Sequence, residues 1–248
     1  TNAKSLREKL VDDGAIFQTT SDTEVILHLI ARSRQSEQID QIKEAISQVQ
    51  GAYSLVILTN DKLIAARDSL GIRPLCIGKL NGSYIVTSET CALDINSASY
   101  IRDVVPGEIV VIDQNSLITK EIQSYQLIEN STGEVKKHCV FEFIYFYRPD
   151  SQIFGTNVDK MRRKLGKTLA LEHPVSDKDG EKVIVISVPD SSNTTAIGYQ
   201  AGLQKLNINS KLEIGLIRSH YIGRTFIAPT QKNREIGVKI KFNIVKGV

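Results

Sequence analysis

Apolar residues recur at two different spacings along this chain, and the change of spacing divides it. Leu6 and Leu10, four apart, predict a short helix over Ser5–Leu10 that Gly14 ends, followed by an extended stretch over 15–18. Thr20-Ser21-Asp22-Thr23-Glu24 then reads as a helix start, with a hydroxyl cap and an acid in the first turn. Val25, Ile26, Leu29 and Ile30 supply that helix's apolar stripe, and Ile42, Ala45, Ile46 and Val49 mark a second helix over Ile39–Val49. From Gly51 the period shortens. Strands are expected at Ala52–Thr59, Leu63–Arg67, Leu75–Gly78, Ser83–Ser88 and Ile109–Asp113. Asn60-Asp61, Gly71, Asn81-Gly82 and Pro106-Gly107 separate them, and Asn81-Gly82 is a strong two-residue hairpin signal.

Asn130–Lys137 is polar and reads as a linker, after which helix and strand patterns alternate. Helices are expected at Val158–Leu171 and Thr194–Leu203, and strands at Lys182–Val188 and Glu213–Arg218. Such alternation points to an α/β domain with a parallel sheet. The expected organisation is therefore an α+β domain over 1–137, with helices on a largely antiparallel sheet system, and an α/β domain over 138–248. No internal repeat or low-complexity tract is present.

Composition narrows the class without naming a chemistry. The 248 residues are 41% hydrophobic and 24% charged, ordinary for a folded domain, and the longest apolar runs are only strand length. The net charge of +3 is spread along the chain. Its most basic stretch, Lys160–Lys167, carries Met161, Leu165 and Leu169 at helical spacing, which is the solvated face of a helix rather than a nucleic-acid patch. Neither nucleic acid nor membrane is expected as a partner. Cys76, Cys91 and Cys139 are widely spaced and odd in number, so no disulfide framework is implied and a reducing cytoplasm is the expected setting.

Four segments can carry chemistry, each with a plain structural alternative. Asp22 at a helix start either compensates the helix dipole or anchors a substrate ammonium group. Gly71-Ile72-Arg73-Pro74-Leu75, after Arg67-Asp68, reads as a tight turn with a structural ion pair. Val188-Pro189-Asp190-Ser191-Ser192-Asn193-Thr194-Thr195 joins a strand to a helix, where hydroxyls and backbone N–H groups suit either a cap or a phosphate. Tyr221-Ile222-Gly223-Arg224-Thr225-Phe226 is an ordinary loop or a mobile one that closes on an anion. His220, beside it, has little claim to a catalytic role.

Several of these segments carry a family resemblance. Phe141 to Ser151, FEFIYFYRPDS, resembles the domain-junction signature of the amidophosphoribosyltransferases, and Tyr221 to Ile227, YIGRTFI, resembles that family's flexible loop. Val188-Pro189-Asp190-Ser191-Ser192 is similar to its ligand loop. Ser21 to Val25, Gly71 to Gly78, Thr87 to Thr90 and Pro106-Gly107-Glu108 resemble class II glutamine amidotransferases in general, and the motif at Asp22 is shared with glucosamine-6-phosphate synthase.

The resemblance implies an N-terminal-nucleophile glutaminase domain followed by a type I phosphoribosyltransferase domain, both partial. The first would free ammonia from glutamine. The second would use it to displace pyrophosphate from phosphoribosylpyrophosphate and form 5-phosphoribosylamine, the first step of purine synthesis. Asp22 matches the aspartate that binds the glutamine amino group, and Ser191 a position that contacts magnesium. Arg218, Tyr221, Gly223, Arg224 and Thr225 match the loop that folds over phosphoribosylpyrophosphate. Cys139 matches the first of four cysteines that hold a [4Fe-4S] cluster in some members, while Cys76 and Cys91 match no ligand and are expected in the core. None of the three fits the family's N-terminal nucleophile. By the resemblance, that Cys precedes this segment and the Asp-Asp-Ser phosphoribosyl loop follows it, so an internal piece, inactive and weakly stable by itself, is expected. Homo-oligomers and inhibition by purine nucleotides are family expectations. Arg218-Ser219-His220 stands where the family has Lys-Asn-Arg, and Tyr147 where a small residue is usual. The alternatives are a non-catalytic remnant that binds phosphorylated sugars or nucleotides, and another class II amidotransferase.

Overall fold

The computed structural model describes residues 2–127, 136–175 and 181–247, so most of the segment read as a linker lies outside the described residues. The chain forms two compact units, Thr1–Val140 and Phe141–Val248, dividing three residues beyond the expected boundary.

In the first unit, α1 (Ala3–Asp12), α2 (Thr23–Arg32) and α3 (Gln38–Ser47) precede an antiparallel sheet. Its strands are β1 (Ser54–Leu58), β2 (Leu63–Arg67), β6 (Glu108–Ile112) and β7 (Gln123–Gln126), in the order β1-β2-β6-β7. A second antiparallel sheet, order β4-β3-β5, holds β3 (Cys76–Leu80), β4 (Ser83–Thr87) and β5 (Ser99–Asp103). The register explains the layering. Ile64 pairs with Val111 and Ala66 with Ile109, and these four turn toward Ile42 and Ile46 of α3. The alternate residues, Ala65 paired with Val110, face Leu75, Ile77 and Val104 of the second sheet region. Side chains alternate faces along a strand, so β2 and β6 are apolar on both faces except at one end of each, where Arg67 and Glu108 stand. A third cluster of Leu10, Val25, Leu29 and Ala45 joins the three helices.

The hairpin at Asn81-Gly82 forms between β3 and β4, with φ of 49° and 87° at the two turn residues, as a primed turn demands. Two helices and two strands of this unit escaped the sequence pattern: α4 (Thr90–Ile95), α5 (Gln114–Thr119), β5 and β7. The strands are half polar and lie at sheet edges, where one face and one edge meet solvent.

The second unit opens with a π-helical turn, Glu142–Phe146, and a short hairpin of β8 (Gln152–Ile153) and β9 (Thr156–Asn157). α6 (Val158–Glu172) follows, capped by Asn157, whose side chain accepts from Lys160 N. β10 (Val183–Ile186) runs parallel to β11 (Ser210–Glu213), connected through α7 (Asn193–Lys205). That is one β-α-β unit, as the alternating pattern predicts. The single strand expected over Glu213–Arg218 is two. The chain breaks at Ile214-Gly215, and β12 (Leu216–Arg218) pairs antiparallel with β13 (Phe242–Ile244) instead of extending the parallel pair. α8 (Gln231–Lys241) precedes β13, buries none of its residues and carries Ile236 and Ile240 four apart, a helical spacing not among the expected elements. Tyr147, unusual by the resemblance, is buried with Ile153 and Val158, and its carbonyl accepts from Arg162 Nη2 at 2.7 Å. Among the described residues no helix is long and apolar enough to cross a membrane.

Candidate functional site

Two groups of expected site residues lie in different units and are described separately. In the first unit, Asp22 occupies the N-cap position of α2, yet its side chain makes no capping hydrogen bond. The structure therefore leaves the dipole of α2 facing an exposed carboxylate that no backbone N–H occupies. Asp22 borders a small cleft of about 80 Å³, together with Asn2, Leu6, Val49, Gln50 and Tyr53. Burial, aided by the charge of Asp68, pushes the Tyr53 hydroxyl up to about 12, so it stays neutral.

The loop that leads to Asp22 is held from both sides. From α1, Arg7 donates to Thr19 O at 3.0 Å and to Ser21 O at 2.7 Å, and its guanidinium lies 4.0 Å from the centre of the Phe17 ring. From α2, the Glu24 carboxylate accepts from Gln18 N at 2.7 Å, Thr19 N at 2.9 Å and Thr19 Oγ1 at 2.6 Å. The Gln18 amide foremost, then the Thr19 hydroxyl, lower this carboxyl to about 2. The expected acid in the first turn thus does more than meet the dipole. Asn2 closes the other wall: it donates to Gln48 O at 2.8 Å and accepts from Gln50 N at 2.9 Å. These contacts span more than forty residues, and no spacing rule reveals them.

Gly71-Ile72-Arg73-Pro74 is the tight turn that the sequence suggests, but backbone groups satisfy much of its charge. Arg67, buried, donates to Gly71 O, Arg73 O and Val104 O, while Asp68 accepts from Leu70 N and Ile72 N. Glu108, in the Pro106-Gly107-Glu108 motif, is buried and receives two bonds from Arg102, at 2.7 and 2.8 Å, plus bonds from Val105 N and Ser124 Oγ. Burial works to raise this carboxyl, but the Arg102, Ser124 and Val105 donors outweigh it and hold it below the usual range. Both motifs build the sheet ends, and the N–H of the cleft residue Tyr53 donates to Asp68 Oδ2 at 3.4 Å.

Cys76 and Cys91 are core residues, and burial pushes the Cys76 thiol up to about 12. Cys139 is half-exposed, with its N–H bonded to Ile72 O. Among the described residues no three His, Cys, Asp or Glu side chains converge as metal ligands. An iron–sulfur cluster needs four soft donors. Of the three cysteines, the resemblance assigns only Cys139 to that set, with its other members outside this segment.

In the second unit, Asp190 and Ser191 sit in the loop between β10 and α7, and both side chains are exposed. Ser192 is the N-cap of α7, but its hydroxyl donates to Val188 O at 2.7 Å instead of capping the helix. Arg218, at the end of β12, donates through Nη1 to Asp190 Oδ2 at 2.5 Å. The loop over 188–195 is therefore tied to the strand that leads into the loop over 221–226. Tyr221 is 98% exposed, and Gly223 and Arg224 are exposed beside it. Gly223 O accepts from Lys241 Nζ, and Thr225 opens a 3-10 turn, Thr225–Ile227. His220 is exposed and reaches no other expected site residue in the hydrogen bonds described.

Known proteins match this arrangement closely. Residues 1–94 fit a family described as a glutamine amidotransferase domain. The whole chain aligns with the chloroplastic amidophosphoribosyltransferase of Vigna aconitifolia at 49% identity, covering 47% of that protein. With the amidophosphoribosyltransferase of Bacillus subtilis it shares 43% identity, again over the whole chain and over 48% of the relative. Among solved structures, the allosteric regulatory enzyme of purine biosynthesis superposes with a TM-score of 0.84 at 44% identity, covering all of this chain and 49% of that one. Glutamine phosphoribosylpyrophosphate amidotransferase from B. subtilis, complexed with ADP and GMP, superposes with a TM-score of 0.83 at 44% identity, over the whole chain and 50% of the other. The chain spans about half the length of the curated relatives it matches. By sequence and by fold, this chain is similar to the amidophosphoribosyltransferases over its whole length and over about half of theirs.

Proposed function

We propose that this chain forms part of an amidophosphoribosyltransferase. Its first unit serves the release of ammonia from glutamine. Its second is the front portion of a type I phosphoribosyltransferase domain, where that ammonia displaces pyrophosphate from phosphoribosylpyrophosphate to give 5-phosphoribosylamine and open purine synthesis. The observation that carries the reading is Asp22: an exposed carboxylate at a helix start, free of any capping bond and bordering a cleft, in the position that matches the glutamine-binding aspartate. A carboxylate opposite a substrate ammonium forms charge-assisted hydrogen bonds, and removing such a bond costs roughly 1.5–3 kcal/mol.

In the second unit, Arg218 and Arg224 supply positive charge to a pyrophosphate group, while Tyr221, Gly223 and Thr225 belong to the loop that folds over it and excludes water. Magnesium fits this loop as an ion carried by the substrate. The Ser191 hydroxyl and Asp190 carboxylate are hard oxygen donors, and a magnesium ion takes the rest of its shell from phosphates and water. When bound it neutralises pyrophosphate charge. Glutamine and phosphoribosylpyrophosphate are the substrates on this reading, purine nucleotides are inhibitors, and the assembled enzyme is a homo-oligomer.

The test is Asp22→Asn in the protein that carries this chain, with synthesis driven by glutamine and then by added ammonia. The expected result is a rise in the glutamine KM of roughly ten- to a hundredfold, so that the ratio of glutamine-driven to ammonia-driven synthesis collapses. An unchanged ratio would remove Asp22 from the glutamine site.

A further inference from the structure

The residues that grip the Asp22 loop do not touch the cleft themselves, and their contacts converge on one short segment. Arg7 reaches from α1 to two carbonyls of that segment, Thr19 O and Ser21 O. Glu24 reaches back from the first turn of α2 and takes both N–H groups at 18 and 19 together with the Thr19 hydroxyl. The Thr19 hydroxyl in turn accepts from Ser21 N at 3.2 Å, and Ser21 Oγ accepts from Thr23 N at 3.3 Å. Phe17 completes the packing between the Arg7 guanidinium and the ring of His28, whose centroid lies 4.3 Å away. His28 Nε2 also lies 3.8 Å from Glu24 Oε1.

Such a concentration of charged donors and acceptors on the exposed residues 18–21 is out of proportion to a simple connection between two helices. Loops of that length need only a cap and a turn. Here two ionised side chains fix five backbone or hydroxyl groups immediately before Asp22, and Asp22 itself is left without a capping bond. A carboxylate that must meet an ammonium group gains from being held in place by groups other than its ligand, since any freedom it keeps must be lost on binding.

We infer that Arg7 and Glu24 are positioning residues for glutamine: they fix the 17–22 loop so that the Asp22 carboxylate is aimed before the substrate arrives. The inference rests on the reading of Asp22 as the ammonium anchor. Neither side chain contacts substrate, and their effect passes through the loop backbone to Asp22.

The experiment compares Glu24→Ala, Arg7→Gln, Arg7→Lys and Asp22→Asn in the protein that carries this chain. Glu24→Ala and Arg7→Gln are expected to raise the glutamine KM by roughly tenfold or more while kcat stays within about twofold. Arg7→Lys, which keeps the charge and one carbonyl bond, falls between Arg7→Gln and the parent. The double variant Asp22→Asn with Glu24→Ala is no worse than Asp22→Asn alone, because a loop can position only a carboxylate that is present. An unchanged KM in Glu24→Ala and Arg7→Gln overturns the inference, as does a parallel fall of kcat and of ammonia-driven synthesis, which marks a general structural defect. If Glu24→Ala fails to fold, Arg7→Lys carries the same KM-against-kcat comparison. Should Asp22→Asn itself leave the KM unchanged, the reading of the site fails first, and that result is distinct from a failure of Arg7 and Glu24 alone.

Discussion

Arg218 and Asp190, twenty-eight residues apart, are joined by a hydrogen-bonded ion pair that ties the end of β12 to the loop between β10 and α7. On the proposed reading Arg218 supplies charge to a phosphate, and the pair puts the Asp190 carboxylate on that guanidinium.

The pair is partly open to water, with side chains 30% and 53% exposed. Pairs of this kind contribute about 0–1 kcal/mol. Asp190→Asn is therefore expected to shift thermal stability by less than about 1 kcal/mol, which leaves Arg218 free to exchange its partner for a phosphate. Calorimetry of the variant checks this, and a larger loss would make the pair a structural anchor instead.

Glu108 and Arg102 present the opposite case. Glu108 is 1% exposed, and Arg102, Ser124 and the Val105 N–H all bond to it. Glu108→Ala leaves the Ser124 hydroxyl and the Val105 N–H without their acceptor, while Arg102, 38% exposed, can turn to water, so the variant is expected to destabilise the unit by about 1–3 kcal/mol. Because the folded carboxyl is held below its unfolded value, its contribution is present at neutral pH. It is lost as pH falls from about 4.3 downward through the folded value. Denaturant unfolding at pH 7 and pH 3 checks both sign and size: the gap between parent and variant should narrow in acid.

α6 and α7 touch through their backbones. A Cβ placed on Gly198 would lie 2.1 Å from Arg163 O, and one on Gly166 would lie 2.0 Å from Thr195 O. Alanine is the better helix former by about 1 kcal/mol, but overpacking of this kind costs about 1–3 kcal/mol. Gly198→Ala is expected to lower the urea midpoint with an unaltered slope. A raised midpoint would mean that the two helices separate without loss.

Much of the architecture could be read from periodicity. The three N-terminal helices carry their stripes at Leu6/Leu10, Val25/Leu29 and Ile42/Ile46, because each buries a single face, and a single buried face must repeat every third or fourth residue. β2 and β6 read as continuous apolar runs because they lie between helices on one side and the second sheet on the other. The elements that escaped share a cause. β5, β7 and α8 bury little or nothing, so no single buried face imposes a period on their side chains. The break at Ile214-Gly215 escaped because strand pairing is decided by the partner, and β13 lies some thirty residues away.

The candidate sites divide in the same way. The sequence alone determined which residue types stand where a carboxylate, a hydroxyl-rich helix start and a glycine-bearing loop are needed: Asp22, Ser191 and Tyr221 to Thr225. Only the tertiary structure decided which of those groups are held, and by what. Asn2 against Gln48 and Gln50, Arg7 on the carbonyls of Thr19 and Ser21, and Arg218 on Asp190 all join groups that are distant along the chain. Hydrogen bonds act over about 3 Å of space, and sequence spacing records such distances only within a helix, a strand pair or a turn. Once the chain folds back, geometry alone decides which donor meets which acceptor.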